Sequence, residues 1–519
     1  MKTSFLQTYT PKTLLVLNIL LTIAYFYIIT FAFKQGNVVL FSLLIIGEIF
    51  HVWQVITYIY TVWETDYEPK KNHSIHPAVD VFITVAGEPL EIIEETVRAA
   101  LRMDYPHFEV YVLNDGFVAN KDNWQAVEAL AEGLGAHVIT RRTPGGAKAG
   151  NINNALEVIG ALHETAPLVA ILDADHVPHA DFLTKTVVYF IDPDVAFVQT
   201  PQYYKNYALN AVTKSSWEQQ QLFFGPICKG KNRLNSATMC GTNMVLRKRA
   251  LREVGNVCVD SIAEDFVTGM FVHEKGWKSI YVGEVLAEGL APEDFYSYYK
   301  QQFRWARGAL DVIFRYNLLF RKNLSIAQKI QYLSSASFYL SGIIVLMNAL
   351  LPVTFFFTGL VPIEVSSMLL ALIFIPYIFV TLHTLQRSSN FSFTFSALAF
   401  SMSSFSIHLH ALYSVFTQKK ATFSITSKQG IKGNYVRLVI PHLLYIGLVI
   451  LGVIVAFMRE GLSASLINNL AWSLFNIAIF IPFIRAALPH KNYNVEEEYD
   501  EEKEERAVSD QVRARLRVS

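Results

Sequence analysis

Cysteine is scarce: Cys228, Cys240 and Cys258 are the only three in 519 residues. Odd in number and without a Cys-x-x-Cys pair, they exclude a disulfide framework and a thiolate zinc site, and they suit a reducing, cytosolic face. Charge is scarce as well. Charged residues make up 17% of the chain against 52% hydrophobic, whereas soluble domains are about a quarter charged. An ordinary soluble enzyme is thereby excluded, and part of the chain belongs in lipid. Neither sign is in excess, with Lys+Arg and Asp+Glu at 44 each, so no basic face for nucleic acid is expected. No internal repeat occurs.

Long apolar runs are what the chain has in abundance. Thr13 to Phe33 carries no charge and is long enough to cross a hydrocarbon core of about 30 Å. No small-residue cleavage site follows it, and Val38 to Val62 comes almost at once, so the first run reads as a retained span rather than a signal peptide. After a polar stretch from about Asp66 to Ser325, further spans are expected at Leu333 to Phe357, Met368 to Leu385, Val436 to Phe457 and Leu466 to Leu488. Two spans thus precede the polar domain and four follow. Lys70, Lys71, Arg387, Lys419, Lys420 and Arg485 share one side if both termini are cytosolic, which puts the polar domain there too. Phe395 to Phe416 holds His408, His410 and many serines, and a crossing there would move Lys419 and Lys420 outside; it is expected to be an amphipathic helix in the interface. Glu48, His51 and Gln54 lie within the second span and have two readings, as pore lining or as helix-packing hydrogen bonds. The acidic run Glu496 to Glu505 and the arginines after it read as a solvated tail.

Within the polar domain, β-rich runs alternate with helical patterns: Val79 to Val85, Phe108 to Asn114, His137 to Thr140 and Leu168 to Leu172 are each followed by or follow a helix-like segment. This is the pattern of an α/β domain with a mostly parallel sheet and helices on both faces. Ligands of such sheets sit at the carboxyl ends of strands, where Asp115 and the pair Asp173 and Asp175 fall. Two hard carboxylates after a strand suit Mg²⁺ or Mn²⁺; the plainer reading makes one of them a helix cap. Lys148 lies in Gly145-Gly146-Ala147-Lys148-Ala149-Gly150-Asn151, a turn entering a helix, where a phosphate can be met. Glu264 and Asp265 open an apolar segment, Phe266 to Val272, as dipole-compensating caps or with one of them as a general base. Gln301, Arg304 and Trp305 share one helix face.

In order, Val112-Leu113-Asn114-Asp115-Gly116, Asp173-Ala174-Asp175, Ala263-Glu264-Asp265 and Gln301-Gln302-Phe303-Arg304-Trp305 resemble the motifs of membrane-embedded processive β-glycosyltransferases. This is the inverting family 2 that includes cellulose, hyaluronan and chitin synthases. The resemblance spans roughly Val38 to Leu488 and implies a GT-A-type cytosolic domain. By that likeness Thr84, Glu88 and Asp115 contact the donor uridine, Asp173 and Asp175 hold the metal and diphosphate, and Lys148 and Arg304 also face the diphosphate. Asp265, beside Glu264, is the base; Cys240, Gly241 and Thr242 form the acceptor-side turn; Gln301 and Trp305 meet the glycan at the channel mouth. Phe423, Thr426 and Lys428 are similar to the gating-loop pattern of cellulose synthases, which favours a cellulose-like β-glucan made from a UDP-sugar. Hyaluronan, chitin, poly-N-acetylglucosamine or β-1,3-glucan synthesis, and single transfer to a lipid, stay open as alternatives. Ala86-Gly87 stand where relatives carry Tyr-Asn, and Ala263 where they carry Thr. The expected partners are UDP-sugar, the growing polysaccharide and membrane lipid, with room for an export or accessory subunit; no cyclic-dinucleotide-binding barrel is expected.

The expected organisation is two transmembrane helices in 1–65, the GT-A domain in 66–300, an interfacial helix with the Gln-x-x-Arg-Trp motif in 301–330 and two spans in 331–388. An interfacial helix and gating loop in 389–435, two spans in 436–488 and a cytosolic tail in 489–519 complete it.

Overall fold

The structure, a computed structural model, describes residues 10–162, 166–417 and 433–489. Two long helices, Lys12–Phe31 (α1) and Val38–Val62 (α2), come first. The side chain of Asn37 starts the second by accepting from Val39 and Leu40 N–H, which satisfies two of the donors a helix start leaves open.

Seven strands follow in one sheet: Val79–Val85 (β1), Phe108–Asn114 (β2), His137–Thr140 (β3), Leu168–Asp173 (β4), Val195–Gln199 (β5), Met244–Arg247 (β6) and Lys278–Tyr281 (β7). Their order is β7-β5-β6-β4-β1-β2-β3. Neighbours run parallel except β6, which is antiparallel to both β4 and β5. All of β1 is buried, as a central strand covered on both faces must be. Its alternate residues serve two cores. Val79, Val81, Ile83 and Val85 pack beneath Leu90–Leu101 (α3) and Trp124–Leu134 (α4), and Phe82 packs toward Ala147–Leu162 (α5). Helix α3 can cover that face because Ile93, Val97 and Ala100 recur at helical spacing. The expected α/β architecture is therefore present, with β6 as an antiparallel insertion that no local pattern announced.

Ala211–Leu222 (α6) passes through a π-helical turn, Phe223–Ile227, into Cys228–Asn232 (α7); Glu264–Glu274 (α8) and Phe295–Phe314 (α9) complete the domain's main helices. Beyond it lie Ile326–Ser337 (α10), Ser341–Thr358 (α11), Ser367–Ser388 (α12), Phe395–Ser403 (α13), Phe405–Phe416 (α14), Ile440–Glu460 (α15) and Ala464–Ala487 (α16). Among the described residues six helical segments are long and apolar enough to cross a membrane, α1 and α2 before the sheet and four after it. The protein is thus a multi-pass membrane protein.

Two details depart from the sequence reading. The third span is continuous from Ile326 to Thr358 through α10 and α11, starting before Leu333 because Ser325 and Gln328 form a capping box. The segment 395–416 is two helices meeting at Ser404, not one. Its second half lies along α9 with Ile407, His408 and Ala411 buried. His408 is covered by Ser341 Oγ at 3.2 Å and by the rings of Phe338 and Tyr339, so its polar side meets protein rather than water. Phe423, Thr426 and Lys428 lie outside the described residues.

The polar groups of α2 turn out to have protein partners. Tyr25 OH donates to Glu48 Oε1 at 3.1 Å, His51 Nδ1 lies 3.6 Å from Glu48 Oε2, and Gln54 Nε2 donates to Ser337 Oγ at 3.2 Å. Glu48 and Gln54 thus join α2 to its neighbours, as the helix-packing reading has it, while His51 lies beside Glu48 of its own helix with its side chain 39% exposed. Glu48→Leu is expected to cost about 0.6–1.7 kcal/mol of helix association, read by thermal unfolding in detergent. Glu48→Gln, which keeps an acceptor for Tyr25, should cost less.

Candidate active site

The parallel register sets the carboxyl ends of β1, β2 and β4 side by side. Thr84 pairs across with Leu113 on one side and Asp173 on the other, and its hydroxyl donates to Asp173 Oδ1 at 3.1 Å. Asp115 follows β2 directly. Both its oxygens are taken by Arg141, with Nε donating to Oδ1 at 2.8 Å and Nη2 to Oδ2 at 2.6 Å. The pair is almost fully covered, at 7% and 6% exposure. Burial pushes the Asp115 carboxyl up, and the Arg141 fork opposes it. Arg141 also donates to the carbonyls of Gly145 and Ala147, so one guanidinium ties Asp115 to the glycine-rich turn. No motif in the sequence singled out Arg141; its neighbours in space come from two different loops.

That turn aims Lys148 into the crevice. Its Nζ pairs with Asp173 Oδ1 and donates to the Gly241 carbonyl at 2.8 Å. Burial alone would lower the Lys148 pKa, but the carboxylates of Asp173, Glu264 and Asp265 hold it above its usual value. Asp173 shows the converse: burial would raise it, yet Lys148 and His176 keep it below the ordinary range. The insertion of β6 beside β4 brings the preceding turn, Cys240-Gly241-Thr242, onto this cluster, and Asp173 N–H donates to Thr242 Oγ1 at 2.8 Å. Gly241 has φ +78°, and a Cβ there would meet Asp265 Oδ2 at 2.9 Å; only glycine lets the turn lie this close to the carboxylate. Cys240 is held by its N–H on Gln199 Oε1 at 2.8 Å. Burial, with Asp265 adding to it, pushes its thiol well up, so it stays protonated and is no nucleophile.

Glu264 and Asp265 start α8, where Asp265 Oδ1 accepts from Phe266 N–H at 2.7 Å. Burial raises both carboxyls, Glu264 to about 7 with the charge of Asp265 adding to it, while Lys148 and Arg304 pull the other way. Gln301, Arg304 and Trp305 share α9. Gln301 is buried against the Tyr204 hydroxyl, and its Oε1 has no hydrogen-bond partner. Arg304 is felt by Glu264, Asp265 and Tyr204, and Trp305 is half-buried beside it. Helices α8 and α9 meet at Gly308, where any Cβ would collide with the methyl of Ala263.

Asp173, Asp175 and His176 place donor atoms within 4.8 Å of one another. Asp175 Oδ2 also accepts from Leu290 N–H at 3.2 Å. Both ring nitrogens of His176 are buried without a hydrogen-bond partner, and its Nδ1 lies 3.5 Å from Asp175 Oδ1. Hard oxygens with one imidazole, the latter without a hydrogen-bond partner, fit a divalent cation. His176 was missed in the sequence although it directly follows the Asp-x-Asp; the position after the pair was the available signal. Glu88 sits close by, with Oε2 accepting from Ala86 N–H at 2.7 Å. Its carboxyl is raised by burial and by the charges of Asp175 and Asp173.

The crevice thus joins a cation-type donor set, a lysine and an arginine for an anionic leaving group, and a raised carboxylate pair facing a glycine turn. Residues 76–308 match the family model described as glycosyltransferase like family 2, and residues 252–492 match that of cellulose synthase. Cellulose synthase 1 catalytic subunit [UDP-forming] of Komagataeibacter xylinus is 29% identical over 68% of this chain and 47% of its own length. The cellulose synthase catalytic subunit [UDP-forming] of Pseudomonas fluorescens (strain SBW25) is 28% identical over 82% of this chain and 59% of its own. The chain spans from about a quarter to somewhat over half the length of the curated relatives it matches. A mannosyltransferase from Pyrobaculum calidifontis, solved with GDP-Man and Mn²⁺, superposes at TM-score 0.52 and 18% identity, covering 73% of this chain and 100% of that one; the likeness is one of fold, a GT-A-like glycosyltransferase domain. With that domain set between apolar helices, the chain carries a glycosyltransferase family 2-like domain and a cellulose synthase domain and is similar to the UDP-forming cellulose synthase catalytic subunits.

Proposed function

We propose that the protein is a processive, inverting β-glycosyltransferase that builds a cellulose-like β-glucan from a UDP-sugar and passes it through its own membrane helices. The polar domain and termini face the cytosol, and the membrane is the plasma (inner) membrane. The observation that carries this reading is the meeting of Lys148, Asp173, Gly241 and Asp265 around one crevice. UDP-forming cellulose synthases among the relatives favour UDP-glucose over other donors.

In the mechanism, Thr84, Glu88 and Asp115 bind the nucleoside end of the donor. Asp173, Asp175 and His176 hold Mg²⁺ or Mn²⁺, which when bound supplies positive charge against the donor diphosphate. Lys148 and Arg304 add fixed positive charge there, the kind of preorganised stabilisation that is commonly the largest catalytic contribution. The acceptor end rests between Trp305 and the Cys240-Gly241-Thr242 turn. Asp265 accepts the proton of the acceptor hydroxyl as its oxygen attacks the anomeric carbon. That carbon's bond to the diphosphate oxygen breaks, UDP leaves, and the configuration inverts. Glu264 keeps the pair's charge near Arg304. Gln301, with an acceptor oxygen to spare, faces the glycan end.

Membrane vesicles supplied with UDP-glucose and Mg²⁺ or Mn²⁺ are expected to yield high-molecular-weight product that cellulase degrades. Product only from another UDP-sugar would move the specificity, and a single-sugar glycolipid would overturn processivity. Chelation is expected to abolish incorporation and added Mn²⁺ to restore it. In Asp175→Asn, Mn²⁺ affinity read by electron paramagnetic resonance should fall about tenfold or more.

A further inference from the structure

Lys231 is 2% exposed, at the end of α7, and no carboxylate charge acts on it among the described residues. Its ammonium instead donates to two hydroxyls, Thr238 Oγ1 and Ser335 Oγ, each at 2.8 Å. The titratable groups facing it are Cys228 on its own helix, Cys240 on the turn and His273 on α8, none of them a compensating anion. Burial accordingly pulls its pKa down. A buried, uncompensated amine is costly, and a methionine of similar length would pack there more cheaply. Something other than packing accounts for it.

Its position says what. Thr238 lies three residues before Gly241, the turn facing Asp265 and Lys148. Ser335 lies on α10, the first part of the third span. The same helix is held to the domain by Gln328 Nε2 on the Asn235 carbonyl at 2.8 Å and by Tyr332 OH, 2.7 Å from His273 Nδ1. Its other side is held to α2 through Gln331 with Thr61 and Ser334 with Thr57. Helix α7 itself is fixed: Asn232 exchanges two hydrogen bonds with the backbone of Tyr281, and Gly230 packs directly on the Thr61 carbonyl at the end of α2. Lys231 therefore stands where sheet, α2 and α10 meet.

We infer that Lys231 is a positioning residue for transfer, a strut that fixes the acceptor-side turn against the helix entering the membrane. The distance between acceptor end, base and membrane path is then set by this junction. The inference rests on the proposed transfer reaction for its kinetic consequence, but not for its structural one.

Lys231→Met is expected to speed hydrogen exchange in the segment 236–243 and to lower kcat about 10–100-fold, the scale of an ångström-level misplacement. The KM for UDP-sugar should change less than kcat, because Thr84, Glu88 and Asp115 stand apart from this turn and only Lys148 and Asp173 touch it. Ser335→Ala should give a smaller defect that is not additive with Lys231→Met, whereas Gln331→Ala, which cuts α10 from α2 alone, should add. Unchanged exchange in 236–243, or additive effects of the Lys231 and Ser335 variants, overturns the strut. If Lys231→Met does not fold, Thr238→Val paired with Ser335→Ala carries the same cycle. A wild type inactive with every UDP-sugar refutes the proposed function, and exchange then decides the strut by itself.

Discussion

Asp265→Asn is expected to bind UDP as the wild type does and to transfer sugar about 10²–10⁴-fold more slowly, the range contributed by a positioned general base. The amide is isosteric and keeps an acceptor for Phe266 N–H, and Lys148 and Arg304 stay in place, so binding and fold have no reason to change. What disappears is the ability to take a proton. The pH dependence follows from the same pair. Burial raises both Glu264 and Asp265, and the base works only when ionised. Transfer is therefore full on the alkaline side and declines as pH falls through the raised pKa, placing the acid limb above that of an ordinary aspartate. Glu264 is the carboxyl raised to about 7, by burial and by the charge of Asp265, so Glu264→Gln should leave the limb set by Asp265 nearly unmoved. A pH–rate profile of purified enzyme with calorimetry of UDP binding checks both statements. Near-normal turnover in Asp265→Asn, with Glu264→Gln inactive, would transfer the role of base to Glu264.

Arg141→Met is expected to destabilise the α/β domain by about 3–5 kcal/mol, because breaking a buried pair leaves an uncompensated charge. That is a large part of the 5–15 kcal/mol that holds a typical domain together. Asp115 and Arg141 are both buried and doubly bonded, and Arg141 also closes the turn that carries Lys148. Donor affinity should fall with stability in this variant. The double change Asp115→Leu with Arg141→Met separates the two effects: an apolar pair of similar volume should recover much of the stability while UDP binding stays lost. Thermal unfolding in detergent and UDP titration read the outcomes, and a single variant as stable as wild type would show that the ion pair is dispensable to the fold.

Much of the framework was legible in the sequence because it is encoded in short-range patterns. A span needs about 20 apolar residues, and a buried parallel strand needs a run such as Val79 to Val85, so the spans and the first four strands could be read locally. The ordered acidic motifs were readable too, since strand ends are where such sheets hold ligands. The remaining strands were not: β6 runs antiparallel between β4 and β5, a placement set by packing between distant segments and not by any local period. The split of segment 395–416 at Ser404 and the burial of His408 were equally hidden, because both depend on α9 and α11 lying alongside.

By itself, then, the sequence determined that the chain is a membrane protein with one α/β domain and that Asp115, Asp173 and Asp175 lie at or just past strand ends, because lipid and sheet burial act on consecutive residues. Only the tertiary structure decided who meets whom. It brought Gly241 to Lys148 and Asp265 by inserting β6 beside β4, gave Asp115 its partner Arg141, and turned His176 to the Asp-x-Asp. It also set Glu48 against Tyr25, and Lys231 against Ser335 across 104 positions. Such partnerships follow from packing between distant elements, where a residue's neighbours are chosen by the fold and leave no local period to read.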